Sequence, residues 1–305
     1  MRAVQYSGYG EADVLATVET DRPVAGPGQV LVQVAGTSFN PVDVALRAGW
    51  VQQAFPLTFP HVPGFDVAGT VAALGDGVSG FTVGDTVVGF LPMDADGAAA
   101  EFVAAPAAVL TAAPAGIPLA DAAALPSAAL TAWQALFEHA GLQAGQRLLV
   151  AGAGGAVGGY AVQLAARAGA VVVATVSPRS AEQVRRQGAD QLVDHTTTRV
   201  GEAVTEPVDV VLDLVGADRA ELLELVRPGG VYVTTVPPAP EAPEGVRVAQ
   251  VFVRSDADLL ARLVTAVDAG ELTVDVAERL PLTELADVHR RSAAGTLRGK
   301  VVLVP

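Results

Sequence analysis

The sequence predicts an α/β chain in which a doubly wound parallel sheet is flanked by β-rich segments at both ends. Three observations predict it. Residues Arg147 to Asp194 read as strand, glycine-rich turn, helix and strand. The first 115 or so residues carry short alternating apolar runs with turn signals between them. The closing run, Lys300-Val301-Val302-Leu303-Val304, reads as a strand that matches the first part in style.

In the first part the strand runs are Val30 to Val34, Val67 to Ala73, Thr86 to Gly89 and Glu101 to Val103. Gly26-Pro27-Gly28, Gly75-Asp76-Gly77 and Gly84-Asp85 punctuate them. Short strands with regular turns build an antiparallel barrel or sandwich. Pro114 to Pro118 reads as a linker. Leu119 to Ala140 is rich in Ala and Leu and reads as helical, interrupted by Pro126. Strands then alternate with helices. The strands are Leu148 to Ala151, Val171 to Val176, Gln191 to Val193, Val208 to Leu212 and Val231 to Thr235. The helices are Ala156 to Ala168, Ser180 to Gln187 and Arg219 to Val226. That alternation means a parallel sheet covered on both faces. Asp256 to Ala269 is a further helix. The expected domains are 1–118, 119–268 and a return to the first over 269–305.

Composition removes several function classes. There is no Cys, which excludes disulfides, thiolate-bound zinc and a Cys nucleophile. The net charge of −14 disfavours nucleic acid and anionic membrane as partners. Arg179, Arg185 and Arg186 form the one dense basic cluster, and the last two read as a solvated helix face. No apolar run is long enough to span a bilayer, and the N-terminal stretch has no apolar signal core. A cytoplasmic protein acting on a small molecule is expected.

The glycine-rich turn carries the chemistry. Its fingerprint is Ala153-x-Gly155-x-x-Gly158, with Gly152 and Gly154 alongside. Gly155 would let the backbone approach a pyrophosphate, and Gly158 would let the helix pack on the strand. The amides of Ala156 and Val157 would face the anion from the helix N-terminus. Between two strands, this is a dinucleotide site. An NAD site has a carboxylate at the end of the second strand for the ribose 2′-hydroxyl. Here that segment is Thr175-Val176-Ser177-Pro178-Arg179-Ser180, with hydroxyls and a guanidinium instead. Those groups suit a 2′-phosphate, so NADPH is the expected cofactor, held at Ser177 and Arg179.

The whole chain resembles the zinc-free, quinone oxidoreductase-like (zeta-crystallin-like) branch of the medium-chain dehydrogenase/reductase superfamily. The matching stretches are Asn40-Pro41-Val42-Asp43, Pro63 to Gly69, Gly84-Asp85, Leu130 to Trp133, the Ala153 to Gly158 loop, Gly188 to Asp190, Val208 to Asp213, Arg227 to Gly230 and Gly299 to Leu303. They run in the family's order. The resemblance implies a chaperonin-10 (GroES)-like β-barrel built from both termini, with a Rossmann domain inserted and NADPH in the cleft between them. It also implies a homodimer. The implied reaction is hydride transfer to a quinone or to the activated double bond of an α,β-unsaturated carbonyl.

The resemblance implies roles for single residues as well. Asn40 would face the nicotinamide ribose, and Thr131 would bond the carboxamide. Asp43 reads either as a helix cap or as a catalytic group. Val215, Phe252, Val253 and Lys300 would lie at the cofactor, and His195 at the adenosine phosphate. Where zinc relatives carry Gly-His-Glu, this chain has Gly64-Phe65-Asp66, so no metal is expected. His61, between prolines, reads as structural, and His139 and His289 read as helix-surface residues. Trp50, Phe55 and Phe59 lie in a loop that either covers the substrate or packs in the core.

Two residues after Asp43, relatives carry Tyr or Lys, and this chain has Ala45. No general acid is visible at the substrate's edge, so catalysis is read as positioning of NADPH beside the acceptor. Two other functions stay open. One is a tailoring reductase acting on polyketide-like enones, which the single Lys against eighteen Arg of a GC-rich coding bias makes plausible. The other is an NADPH-binding sensor or structural protein with little catalysis.

Overall fold

The computed structural model describes residues 1–305, which fall into two compact units. One comprises Met1–Ser127 and Ser255–Pro305, the other Ala128–Arg254. The borders therefore differ from the expected 118/119 and 268/269. Leu119–Ala124 and the helix Ala257–Asp268 belong to the first unit. The cause is visible in both. Asp121 accepts two bonds from the Arg279 guanidinium, and Asp268 accepts from the amides of Ala115 and Gly116.

The first unit is built on a seven-stranded sheet. Its path runs Glu278–Pro281, Val301–Val304, Gln29–Ser38, Asp66–Leu74, Thr86–Phe90 and Leu110–Ala112, with Phe102–Pro106 paired to Gln29–Ser38. All pairings are antiparallel except Glu278–Pro281 with Val301–Val304. The closing strand lies beside the long one, with Val302 opposite Ser38 and Leu303 opposite Thr37. Both ends of the chain thus build one β-domain, as the style of the last run suggests. Register shifts at Leu31/Val32 and Val34/Gly36 bend the long strand. Tyr6, Phe39, Val44, Leu285, Val288 and Leu303 form part of its core.

The second unit is one six-stranded parallel sheet. Its order is Gln191–Asp194, Val171–Val176, Arg147–Ala151, Val208–Asp213, Val226–Thr234 and Arg247–Gln250. Numbered within the unit, that is 3-2-1-4-5-6, the order of dinucleotide-binding sheets. Val171–Val176 is buried at five of its six positions, because both faces of a parallel sheet are covered. The fifth strand starts at Val226 rather than Val231. A register shift lets Arg227 to Gly230 loop out between the pairs Val208/Val226 and Val210/Val231. Val226 therefore opens a strand instead of ending the preceding helix, Arg219–Glu224.

The expected helix Leu119 to Ala140 arrives in three pieces. They are a 3₁₀ segment (Leu119–Ala124), an α-helix (Pro126–Trp133) and a π-helical segment (Gln134–His139). Pro126 has no N–H to continue the first piece. No helix is long and apolar enough to cross a membrane.

Candidate active site

In the second unit the glycine turn follows the first strand, where the order of strands reverses. Ala151 and Asp213 are paired at the ends of the two strands that flank this point. Gly152 has φ +96° and donates its amide to Thr175 Oγ1 at 2.9 Å. A Cβ on Gly158 would sit 2.3 Å from the Gly152 carbonyl oxygen, so helix and turn meet in a way only glycine permits. Gly155 is exposed and caps the 12-residue helix Ala156–Arg167. The amides of Ala156 and Val157 lie in the first helical turn and have no carbonyl four residues back to bond. A closed backbone cradle with an open mouth at a helix N-terminus fits a pyrophosphate.

Two further turns line this end of the sheet. Val215 is exposed beside Gly152, its Cγ2 2.8 Å from where a Gly152 Cβ would lie. The amides of Val215 and Gly216 both donate to Asp213 Oδ1 (3.0 and 2.8 Å). Asp213 is itself fixed by the Tyr232 hydroxyl at 2.8 Å. After the second strand, Ser177 to Ser180 form a turn closed by the Ser177 amide on Ser180 Oγ. Arg179 stands exposed on that turn with no ion pair. The His195 amide bonds Val176 O at 3.1 Å, which brings exposed His195 to the same corner. The nearest strand-end carboxylate, Asp194, is committed to the Thr196 amide and hydroxyl, and those bonds hold it below the usual carboxylate range.

Thr131 is buried in the helix Pro126–Trp133. Phe252 is exposed and Val253 half-buried. The stretch that carries them is pinned by a residue the sequence reading missed. Buried Gln134, in the π-helical segment, donates to Arg254 O (3.0 Å) and accepts from Arg254 N (3.1 Å). The Arg254 guanidinium adds a two-bond pair to Glu138.

In the first unit Asn40, Asp43 and Lys300 meet around a fourth residue, Asp66, which is fully buried. Asp66 Oδ2 accepts from Ser38 Oγ (2.6 Å), Ser127 Oγ (2.7 Å) and Asn40 Nδ2 (2.8 Å), with Lys300 Nζ at 3.4 Å. Its Oδ1 accepts from the Ser127 amide (2.8 Å). Lys300 Nζ donates to Asn40 Oδ1 (2.6 Å) and Phe39 O (3.2 Å). Burial pulls the Lys300 ammonium below its ordinary range, and the Asp66 and Asp43 carboxyls push it back up. Lys300, expected at the cofactor, is thus 4% exposed with all three N–H directions taken, the geometry of an internal support. The Asn40 amide is equally committed, its Nδ2 also reaching Ser38 O at 3.3 Å. The pair Asn40 and Asp43 closes a capping box on the helix Pro41–Ala48, which accounts for one of the two readings of Asp43.

Two family models match the chain: an alcohol dehydrogenase GroES-like domain over residues 26–115 and a zinc-binding dehydrogenase over residues 187–303. A chloroplast envelope quinone oxidoreductase homolog of Arabidopsis thaliana is 33% identical, over 100% of this chain and 98% of its own. An NADPH-dependent alkenal/one oxidoreductase from the same plant is 33% identical, over 100% of this chain and 80% of its own. The structure of the quinone oxidoreductase from Coxiella burnetii superposes with a TM-score of 0.91 at 28% identity, covering 100% and 99% of the two chains. The chain belongs to the zinc-independent, quinone oxidoreductase-like branch of the medium-chain dehydrogenase/reductase superfamily. It is an oxidoreductase, and its class of activity is NAD(P)H-dependent reduction.

Membership of this branch agrees with the donor set. Among all 305 residues no group of three or more His, Cys, Asp or Glu side chains is placed to hold a metal ion. At the Gly64-Phe65-Asp66 position Phe65 packs on Phe90, ring centroids 5.4 Å apart, and Asp66 faces the internal network instead. The residues do not fit a zinc ion, although one matching model carries zinc in its description. One other reading is corrected, and one left open divides between its alternatives. His289 lies in the core rather than on a helix surface, with its ring edge-on to Phe39. Trp50 is 74% exposed, whereas Phe59 packs with Tyr6 and Tyr9.

Proposed function

We propose that the protein is an NADPH-dependent reductase of quinones or α,β-unsaturated carbonyls. The observation that carries this reading is the corner formed by Ser177, Arg179 and His195 beside the glycine turn. It offers a guanidinium without an ion pair, a hydroxyl and an imidazole, and Asp194 beside it bonds the Thr196 amide and hydroxyl through Oδ1. A 2′-phosphate gains charge-assisted bonds there, whereas the acidic residue that would serve a 2′-hydroxyl is absent from the Ser177 to Ser180 turn. The glycine turn and the amides of Ala156 and Val157 would hold the pyrophosphate. Val215, Phe252, Val253 and Thr131 would border the nicotinamide end. When bound, the cofactor supplies the hydride. The Asp66–Lys300 network holds Asn40 and the start of its helix rigid, which favours a fixed geometry over an adaptable one.

The names of the relatives support the acceptor class, since they include a quinone oxidoreductase homolog and an alkenal/one oxidoreductase. The test is a panel of naphthoquinones, 2-enones and larger polycyclic enones mixed with protein and NADPH. The fall in absorbance of the reduced cofactor reports turnover. Turnover of at least one group is expected. Micromolar NADPH binding without turnover of any would make the protein a binder and sink the reductase reading.

A further inference from the structure

In the second unit, one side chain ties together the turns that follow the fourth and fifth strands of the parallel sheet. Arg219 Nη1 donates to Pro238 O at 2.6 Å, and Nη2 donates to Val236 O at 2.8 Å. Its Nε stands 3.6 Å from Asp213 Oδ2. The guanidinium therefore reaches from the turn that carries Val215 to the turn that follows Thr234. Asp213, Tyr232 and Thr234 beneath it are fully buried.

Asp213 anchors the first turn. Its Oδ1 accepts the amides of Val215 and Gly216, and its Oδ2 accepts the hydroxyls of Tyr232 (2.8 Å) and Thr234 (3.3 Å). Burial, and then the bond to Asp213, hold the Tyr232 hydroxyl above its ordinary range, so it stays a donor. The second turn is tied back as well. The Thr235 amide bonds Asp213 O at 3.2 Å, and the Val236 amide bonds Thr234 Oγ1 at 3.0 Å. A Cβ on Gly216 would lie 2.9 Å from Val236 Cγ1 and 3.0 Å from Arg219 Nη2, so the turns touch as well as bond. Asp218, directly before Arg219, is the one non-glycine residue with a positive φ, +53°. Such a backbone persists where its surroundings fix it, and ligand clamps are among those places.

Both turns lie at the carboxyl ends of their strands, the edge at which open α/β sheets bind ligands. The glycine turn sits where the strand order reverses. The Ser177 to Ser180 corner follows the second strand, on one side of that point, and the turns tied by Arg219 lie on the other side. With the 2′-phosphate at the first, the second receives the nicotinamide half. We propose that Arg219 is a positioning residue for that half of the cofactor, holding the Asp213–Gly216 and Thr234–Pro238 turns as one preformed wall. The inference rests on the NADPH reading above. A preformed wall leaves less to be ordered on binding. With the fork cut, the turns adopt the binding arrangement for only a fraction of the time, and apparent affinity falls by that fraction, so one part in ten means about tenfold.

The test titrates NADPH and adenosine 2′,5′-bisphosphate, which carries only the adenosine end, into wild type, Arg219→Met and Arg219→Lys. Arg219→Met should raise the NADPH Kd about tenfold and leave the bisphosphate Kd within about twofold. Lys keeps a charge beside Asp213 but cannot bond two carbonyls as a planar fork, so Arg219→Lys should show the same selective loss, about threefold. Should Arg219→Met fail to fold, the lysine variant decides. Hydrogen exchange should quicken at the Val215 and Gly216 amides of either variant and stay unchanged along Val171–Val176. With an accepted 2-enone the loss should appear in KM for NADPH, with kcat within about twofold. An unchanged NADPH Kd, or a fall in both affinities together, overturns the proposal. A wild-type protein that binds NADPH and reduces no acceptor sinks the reductase reading and leaves this test standing. A wild-type protein that binds no NADPH removes the cofactor reading, and this proposal with it.

Discussion

Asp66→Ala is expected to destabilise the first unit by about 3–5 kcal/mol, the usual cost of stripping one partner from a buried ion pair. Asp66 is fully buried and Lys300 is 4% exposed. Removing the carboxylate leaves an ammonium in the core with only Asn40 Oδ1 and Phe39 O to face. It also takes the Asp66 acceptor from the Ser38 hydroxyl and the Ser127 amide, and leaves the Ser127 hydroxyl with Asn40 Oδ1. The double variant Asp66→Ala/Lys300→Met should recover part of the loss, because the orphaned charge goes with the lysine. Hydrogen exchange of the Asp66–Leu74 amides measures the effect within the first unit. A loss below about 1 kcal/mol would show that this network does not hold the site together.

His289→Leu is expected to remove an acid-sensitive element. His289 is wholly buried, both ring nitrogens lack partners, and burial with the nearby Arg47 charge lowers its pKa to about 3. The unfolded chain takes up a proton at this residue below about pH 6.5, and the folded protein does not until about pH 3. Stability contributed here is therefore intact above pH 6.5 and is lost as pH falls, by about 1.4 kcal/mol per unit. Between about pH 6.5 and 5 the stability gap between His289→Leu and wild type should widen by about 2 kcal/mol in favour of the variant. At neutral pH the variant should be at least as stable, since an apolar side chain leaves no unpaired nitrogen.

Asp43 acts with the opposite sign. Burial raises its carboxyl to about 7, so the folded protein keeps a proton that the unfolded chain has already released. Its contribution falls as pH rises from about 4 to 7. Over the shared window the two slopes oppose each other, so variant minus wild type is the informative quantity rather than the wild-type curve. Parallel pH–stability curves for His289→Leu and wild type would contradict the assignment.

The parallel sheet could be read from the sequence because its strands are apolar on both faces and its first turn is glycine-bound. Val171–Val176 and Ala156–Arg167 fell within a residue of their expected ends. Arg247–Gln250 is not legible in the same way, because no position in it is fully buried and it has no apolar run. The strands Arg2–Gln5 and Ala16–Glu19 are four residues each and carry too few apolar positions to show a period. His289 was legible after all. Leu285, Val288 and His289 fall on one helix face at the spacing of a buried stripe, with Arg290 and Arg291 following in the last turn.

The site was legible by parts. The glycine turn and the Ser177–Arg179 segment are local, and a local pattern is what a sequence displays. The Asp66 network is not local. It joins Ser38, Asn40, Asp66, Ser127 and Lys300 across separations of up to 234 residues, and no motif encodes such a meeting. Gln134 belongs to the same class, since its partner Arg254 lies 120 residues away. Asp43 shows the limit most clearly. Its capping role is written in Asn40-Pro41-Val42-Asp43, but the unpaired oxygen exists only in the fold.

The most direct measurement is the ratio of kcat/KM for NADPH and NADH, with one accepted 2-enone, in wild type and in Arg179→Ala. One charge-assisted contact to the 2′-phosphate corresponds to about tenfold or more in that ratio. Wild type should favour NADPH by at least about tenfold, and Arg179→Ala should lose most of that preference through KM. A wild-type protein that uses NADH as well as NADPH, or an Arg179→Ala variant with the ratio unchanged, would contradict the account.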